Sequence, residues 1–336
     1  MQPHIAVPIS DPSQVGEARR IALRLGTDLG FDETTCGRLA LVVTELGNNL
    51  AQHAKDGRLL LAGVTSEGRP QVEVLSVDRG PGMADFERCR RDGFSTGGTP
   101  GTGLGAIQRQ SDRFSVFSEE ARGTVIVAGV AARITGGTPP AAASRFSWAA
   151  VGLAAPQEAV SGDGWSVQLA GDRLQALMVD GLGHGIEAAR VADAAVAAFD
   201  AKADTTPAVA VGRLDGALRG SRGAALAVVA LDAAAGRLAF CGAGNIAGRI
   251  ISGTADRAML SQHGTAGVQI RRAQDVEYPW PEHAIVILHS DGVATRWVLP
   301  ESGALLRCDL AVIAAWLLRD HSRGHDDATV LVIART

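Results

Sequence analysis

Two separate sets of acidic and glycine-rich motifs stand on either side of a stretch that neither a helix nor a strand crosses easily. Before it lie Glu45-Leu-Gly-Asn-Asn49, Asp78-Arg-Gly-Pro-Gly82 and Gly101-Thr-Gly-Leu-Gly105. After it lie Asp180-Gly-Leu-Gly-His-Gly185, Ser290-Asp-Gly292 and His325-Asp-Asp327. The stretch itself, from Arg133 to Ala143, is rich in Gly, Pro, Thr and Ala and has no hydrophobic period. That is the composition of a linker. The chain has 336 residues, enough for one ordinary domain on each side. The expected organisation is α/β with two domains, residues 1–134 and 146–336, joined by 135–145.

Bulk properties narrow the class. Hydrophobic residues make up 46% and charged residues 20%, which suffices for two cores. Aromatics are only 4%, so Ala, Val and Leu must do most of the packing. The net charge of −4 gives no reason to expect nucleic acid. Cys36, Cys89, Cys241 and Cys308 form no CxxC, neither a disulfide framework nor a zinc site, which suits a reducing cytoplasm. No signal peptide is read at the start, and no apolar run reaches the length of a membrane span.

The first half opens with a helix signature. Asp11 is placed to cap it, Pro12 to occupy its first turn and Gln14 to close a capping box. Val15, Ala18, Ala22, Leu25 and Leu29 then recur at three and four residues. A second helix is expected from Asp32 to about Ala54, burying Leu39, Val42, Leu46 and Leu50. On it Glu45, Asn49 and His53 form one polar stripe. The stripe reads either as a solvated face or as a reactive one, with Glu45 positioning a hydroxyl and Asn49 offering an oxygen to Mg²⁺. Strands follow at Arg58–Thr65 and Gln71–Val77. The second runs into Asp78, an acceptor suited to an adenine amine, with Gly80 and Gly82 letting backbone approach a ring. The glycine-rich segment from Asp92 to Gly105 leads into an expected helix, Leu104–Phe114, the geometry of a phosphate cradle. It is neither a Walker loop nor a dinucleotide fingerprint. Ser115–Ser118 and Gly123–Val130 read as a hairpin.

In that order, ExxxN, DxGxG, GTGLG and Gly123-Thr124 resemble the GHKL ATP-binding family. Gly16-Glu-Ala-Arg-Arg20, Leu29-Gly-Phe31 and Thr44-Glu-Leu46 look most like its anti-sigma-factor and stressosome switch serine kinases. The resemblance covers about residues 4–134 and implies a GHKL (Bergerat) ATP-binding α/β sandwich with helices on one face of a sheet. It implies Glu45 as catalytic base, Asn49 as Mg²⁺ ligand and Asp78 as adenine contact. Gly80, Gly82, Gly101, Thr102, Gly103, Leu104 and Gly105 would lie around the nucleotide, and Thr124 would help hold Asp78. His53 is read as a support or structural residue. Members of this branch phosphorylate a Ser or Thr on a small STAS-domain partner, and relatives often dimerise.

The second half reads as strands at Phe146–Pro156, Asp163–Leu169, Arg173–Val179, Ala224–Leu231, Arg237–Gly242, Ala247–Ile251, Glu282–His289 and Val330–Ala334. Helices are expected at Ile186–Phe199, Pro207–Leu218 and Leu310–Leu318. Asp163, Asp180, Asp291 and Asp326 then fall at strand ends or turns. Acids gathered from separate segments are what paired hard cations require, and their mutual repulsion is what a cation offsets. Each Asp-Gly alone also reads as an ordinary turn. All five tryptophans lie in this half and are expected in its core, with Trp297 alternatively lining a partner surface.

Ser161-Gly-Asp163, Val179–Gly185, Gly242-Ala-Gly-Asn245, Ser290-Asp-Gly292 and Gly324–Thr329 resemble the SpoIIE-type branch of the metal-dependent (PPM) protein phosphatases. The resemblance covers about residues 144–336 and implies an α-β-β-α sandwich holding two Mn²⁺ or Mg²⁺. Asp180 would bridge both ions. The Gly181 carbonyl and Asp163 would serve one, Asp291 and Asp326 the other, and Asp327 would be a support. His184 is read either as a phosphate contact or as structural. The two resemblances together imply a cytoplasmic partner-switching regulator that phosphorylates and dephosphorylates a STAS-domain antagonist or stressosome-like protein. Nucleic acid and membrane are not expected as partners. The alternatives are a phosphatase whose ATP-binding domain is regulatory, and a non-catalytic partner-sequestering protein.

Overall fold

The computed structural model describes residues 3–66, 68–83, 103–133, 144–203, 205–253, 255–300 and 303–336. Gly101, Thr102, Cys89 and most of the Asp92–Gly105 segment lie outside them, as does the linker core. Two compact units form. One comprises His4–Ala143 with Pro300–Arg319, the other Met1–Pro3, Ser144–Leu299 and Asp320–Thr336. Residues 300–319, expected with the second domain, thus cluster with the first half of the chain.

The first unit carries β1 (Ile5–Pro8), α1 (Pro12–Asp28), α2 (Glu33–His53), β2 (Arg58–Ser66), β3 (Arg69–Val77), α3 (Gly103–Gln110), β4 (Arg113–Glu119) and β5 (Gly123–Ala131). Its strands form one sheet in the order β1-β2-β3-β5-β4, each described pair antiparallel. The capping box at Asp11 forms as expected, with the Asp11 side chain accepting from Ser13 N–H, and Asp32 accepts from Thr35 N–H (2.7 Å). Val15, Ala18 and Ala22 of α1 join Leu39, Val42, Leu46 and Leu50 of α2 in a core against Leu59, Leu61, Val72, Val74, Ile126 and Ala128 of the sheet. A Cβ on Gly47 would stand 2.8 Å from Val15, so this glycine lets the two helices close.

The expected helix over 104–114 stops at Gln110 instead. Asp112 N–H donates to the Gly129 carbonyl (2.8 Å), and Phe114 enters β4 opposite Ala128. Sheet pairing overrides the local apolar spacing there. In the same unit, Arg113 of β4 pairs with buried Glu73 (2.7 Å) and with Asp309. His4 reaches Glu73 from its other side (3.1 Å). Asp309 N–H also donates to Ser115 Oγ (3.1 Å).

The second unit is built from β6 (Phe146–Leu153), β7 (Asp163–Ala170), β8 (Arg173–Gly181), α4 (Ile186–Asp200), α5 (Pro207–Ala217), β9 (Ala224–Asp232), β10 (Arg237–Ala243), β11 (Ala247–Ser252), β12 (Ala255–Met259), β13 (Gly264–Thr265), β14 (Gln269–Ile270), β15 (Val276–Pro279), β16 (Ile285–His289) and β17 (Ala328–Arg335). Helix α6 (Leu310–His321) starts in the first unit and ends in the second. Two five-stranded sheets form, β15-β10-β9-β8-β7 and β12-β11-β16-β17-β6.

Alternation along β8 sorts the layers. Leu174, Ala176 and Met178 face the second sheet, in a core with Phe240, Val286, Leu288, Leu331 and Ile333. Leu177 and Val179 face α4 and α5, packing on Val191, Ala195, Phe199, Val211 and Leu214. The strands β12 to β15 were not expected. They are short and mostly exposed, and their pairing partners rather than their own pattern set them.

Candidate nucleotide and metal sites

The inner face of α2 is fixed by its leucines and valines. That leaves Glu45 and Asn49 half-buried on its flank and His53 exposed in its last turn. The loop after β3 folds onto the end of this helix. Arg79 N–H donates to the Lys55 carbonyl (2.8 Å), and a Cβ on Gly80 would stand 3.0 Å from the His53 carbonyl. Asp78 N–H donates to the Thr124 carbonyl (3.0 Å). Its Oδ1 accepts from Gly80 N–H (2.7 Å).

Burial raises the Asp78 carboxyl above the usual carboxylate range. The Gly80 N–H and the Arg319 charge work against that rise. Gly82 (φ +69°) and Gly123 (φ +87°) are required where they stand. A Cβ would lie 2.1 Å from the Glu119 carbonyl in the first case and 2.1 Å from the Asp78 carbonyl in the second.

Thr124 is buried, and its Oγ1 is 2.9 Å from Ser118 Oγ, which accepts from Met83 N–H (2.8 Å). Ser118 was not singled out in the sequence. Only the β4–β5 register, which pairs it with Thr124, reveals it. Asp78, Gly80, Gly82 and Thr124 are thus brought together. Gly103, Leu104 and Gly105 form the first turn of α3, with Leu104 packed on the core.

In the second unit the ladder between β7 and β8 sets Asp163 directly across from Asp180. Asp163 is buried, with Oδ2 accepting from Ser290 Oγ (2.6 Å) and Oδ1 left without a hydrogen-bond partner. Burial first, and then the charges of Asp327 and Asp291, push its carboxyl up to about 7 despite the Ser290 and Thr329 hydrogen bonds. Asp180 is pushed to about 9, again by burial and then by Asp163, Asp291, Asp326 and Asp327.

Asp291 is also raised, by burial and then by Asp326, and Asn245 Nδ2 donates to its Oδ2 (2.5 Å). Asp327, expected as a support, is held by two backbone donors. It accepts from Ala155 N–H and Gly162 N–H (2.8 Å each) and ties β6, the turn before β7 and β17 together. Asp326 Oδ1 accepts from Asp327 N–H (2.9 Å). A Cβ on Gly181 would strike the Ala188 carbonyl at 2.4 Å, so the acidic loop lies directly on α4.

An unpartnered buried carboxylate oxygen and mutually repelling acids are what a hard divalent cation would relieve. The donors are all oxygens, so the residues fit Mg²⁺ or Mn²⁺. Among the described residues, however, no three acidic, histidine or cysteine side chains already form a metal-holding group. Several of the acids instead turn toward protein donors such as Ser290 and Asn245.

Ser290 supports the site more than its motif suggested. Its Oγ receives Thr329 N–H (3.0 Å) while donating to Asp163. His184 Nδ1 pairs with Glu158 (2.8 Å) on an exposed rim. Trp297 is 2% exposed, which places it in the core, as expected of the tryptophans, and not on the alternative partner surface. Its Nε1–H donates to buried His289 (3.1 Å), and Arg249 lies 3.6 Å over its ring.

Comparison with known proteins separates the same two halves. Residues 9–129 match the histidine kinase-like ATPase domain, and residues 170–336 match stage II sporulation protein E. Over 111 residues the chain is 32% identical to serine/threonine-protein kinase RsbT of Bacillus subtilis (strain 168), covering 33% of this chain and 84% of that protein. A solved structure described as the bacterial stressosome, a modular system adapted to control secondary messenger signalling, aligns at 25% identity. Its TM-score is 0.53, with 56% of this chain and 98% of that chain covered.

Proposed function

The chain belongs to the histidine kinase-like ATPase family through its first half and to the SpoIIE-type phosphatases through its second, and from that premise we propose that it is a bifunctional partner-switching enzyme. Residues 1–134 would transfer the γ-phosphoryl group of ATP to a Ser or Thr of a STAS-domain protein. Residues 146–336 would hydrolyse that phosphoester.

In the first reaction Glu45 would take the hydroxyl proton, Asn49 would hold Mg²⁺ and Asp78 would accept from the adenine amine. Gly80 and Gly82 would admit the ring and Thr124 would steady Asp78, with Gly103, Leu104 and Gly105 at the N-terminus of α3 on the phosphate side. In the second domain Asp163, Asp180, the Gly181 carbonyl, Asp291 and Asp326 would hold two divalent ions. When bound, such ions polarise phosphoryl oxygens and acidify water. The chain's own part is to bring carboxylates from four segments together and to hold them through Asp327, Ser290 and Asn245.

The register that sets Asp163 opposite Asp180, with both carboxyls pushed up by burial and then by acidic neighbours, is the observation that carries the phosphatase half. A STAS-domain protein mixed with Mg-ATP and Mn²⁺ tests the whole. Asp180→Asn should leave it phosphorylated, and Glu45→Ala should only strip a pre-phosphorylated sample. Absence of any phosphorylation by the wild type overturns the kinase half.

A second reading, in which nucleotide regulates rather than phosphorylates, has one observation in its favour. Arg319 Nη1 donates to the Asp78 carbonyl (2.8 Å) from the helix that leads on to Asp326. Under that reading ATP changes the phosphatase rate of Glu45→Ala as much as that of wild type.

A further inference from the structure

Arg222 stands in the short loop ahead of β9. The ladder between β8 and β9 pairs Asp180 with Ala225 and Gly181 with Ala224, and Leu182 N–H donates to the Gly223 carbonyl (3.0 Å). Arg222 therefore continues that ladder beside Gly183, within the Asp180–Gly185 loop. Its Nη1 lies 3.2 Å from the point where a Gly183 Cβ would be. The loop is held in place. Gly223 (φ +86°) is walled in by Thr265, the Ala266 carbonyl and Val268. Ser221 Oγ accepts from Gly223 N–H (3.0 Å) and donates to the Leu218 carbonyl (2.6 Å).

A guanidinium ordinarily pairs with a carboxylate where one is in reach. Among the described residues Arg222 has no ion pair or hydrogen bond and is exposed. On the adjoining segments large apolar side chains also stay in solvent: Leu182, bonded through its N–H to Gly223, at 45%, Val268, against Gly223, at 65%, and Ile186, which opens α4 after the Asp180–Gly185 loop, at 64% exposure. A free planar cation beside Gly183, on the loop that begins with Asp180, with apolar groups exposed on the adjoining segments, is complementary to a phosphoryl dianion carried on a peptide.

We propose that Arg222 binds the phosphoryl oxygens of a phosphoserine or phosphothreonine segment, with Leu182, Ile186 and Val268 taking its flanking residues. This rests on the phosphatase reading above. Hydrolysis forms one P–O bond from water and breaks the ester P–O bond, leaving a free hydroxyl and inorganic phosphate. Arg222 exchanges no proton in that step and serves binding and specificity.

The test uses the full chain with Mn²⁺ as wild type, Arg222→Ala and Arg222→Lys. Inorganic phosphate binding is measured by calorimetry, and hydrolysis is followed with para-nitrophenyl phosphate. Arg222→Ala should weaken phosphate binding and raise KM by about tenfold each, with kcat changed less and Mn²⁺ affinity unchanged. Arg222→Lys should recover part of the loss. Phosphate affinity within twofold of wild type, or a parallel loss of Mn²⁺ affinity, overturns the assignment. A wild type that neither binds phosphate nor hydrolyses the aryl ester overturns the phosphatase reading first.

Discussion

Asp163 and Asp180 face each other across a ladder with carboxyls raised to about 7 and about 9. A carboxylic acid whose folded pKa exceeds its unfolded value holds more protons in the native state. Stability from this pair is therefore fullest below the ordinary value of 3.8 and falls as pH rises through about 7 and then 9. A divalent ion does the protons' work, so Mn²⁺ should raise the melting temperature of the second unit more at pH 8 than at pH 5. Asp180→Asn should remove most of that difference. Equal Mn²⁺ shifts at both pH values in a melting series would count against the ion site.

Gly292 tests the same cluster sterically. A Cβ there would stand 1.9 Å from the Asp327 carbonyl, so Gly292→Ala should lose Mn²⁺ binding and phosphatase activity while ATP binding persists. At this scale the sequence disclosed the acids, because Asp163, Asp180 and Asp291 each sit beside a glycine at a strand end or turn and Asp326 stands in the Gly324–Thr329 motif. It did not disclose the role of Ser118, which the β4–β5 register sets against Thr124, or the contacts of Ser290 inside its motif, whose partners Asp163 and Thr329 lie 127 and 39 residues away.

Elements that close their own local signals were legible in advance. Asp11, Pro12 and Gln14 specify the start of α1, and Asp32 with a 3.6-residue apolar stripe specifies α2. Asp32→Ala removes one acceptor for an otherwise orphaned helix N–H and should cost about 1 kcal/mol. Amides of α2 that exchange by full opening of the first unit should then exchange about fivefold faster. Leu39→Ala, at a fully buried position facing the sheet, should cost about 2–5 kcal/mol by the same measurement.

Elements whose length or existence depends on a partner were not legible. Apolar spacing continues past Gln110, yet Arg113 and Phe114 pair with β5 instead. Strands β12 and β15 lie at sheet edges with mostly exposed side chains, so no hydrophobic alternation announces them.

At the scale of the molecule, the two families stand in one polypeptide, and the opposed chemistries proposed for them make a quantitative demand. If both domains act on one phosphoprotein, the wild type with Mg-ATP, Mn²⁺ and its partner runs a cycle in which every phosphate added is later released. ATP consumption then continues long after one equivalent of partner has been turned over, while the phosphorylated fraction stays low. Asp180→Asn breaks the return step. ATP consumption should then stop at about one equivalent of partner, with the partner fully phosphorylated. Glu45→Ala breaks the forward step and should consume essentially none. Following ADP and phosphopartner together separates the cases. A stoichiometric burst in Asp180→Asn and steady turnover in wild type establish a shared substrate. Continued ATP turnover in Asp180→Asn shows that phosphate leaves by another route. A stoichiometric burst in wild type, with the product never stripped, shows that the second domain serves a different phosphoprotein.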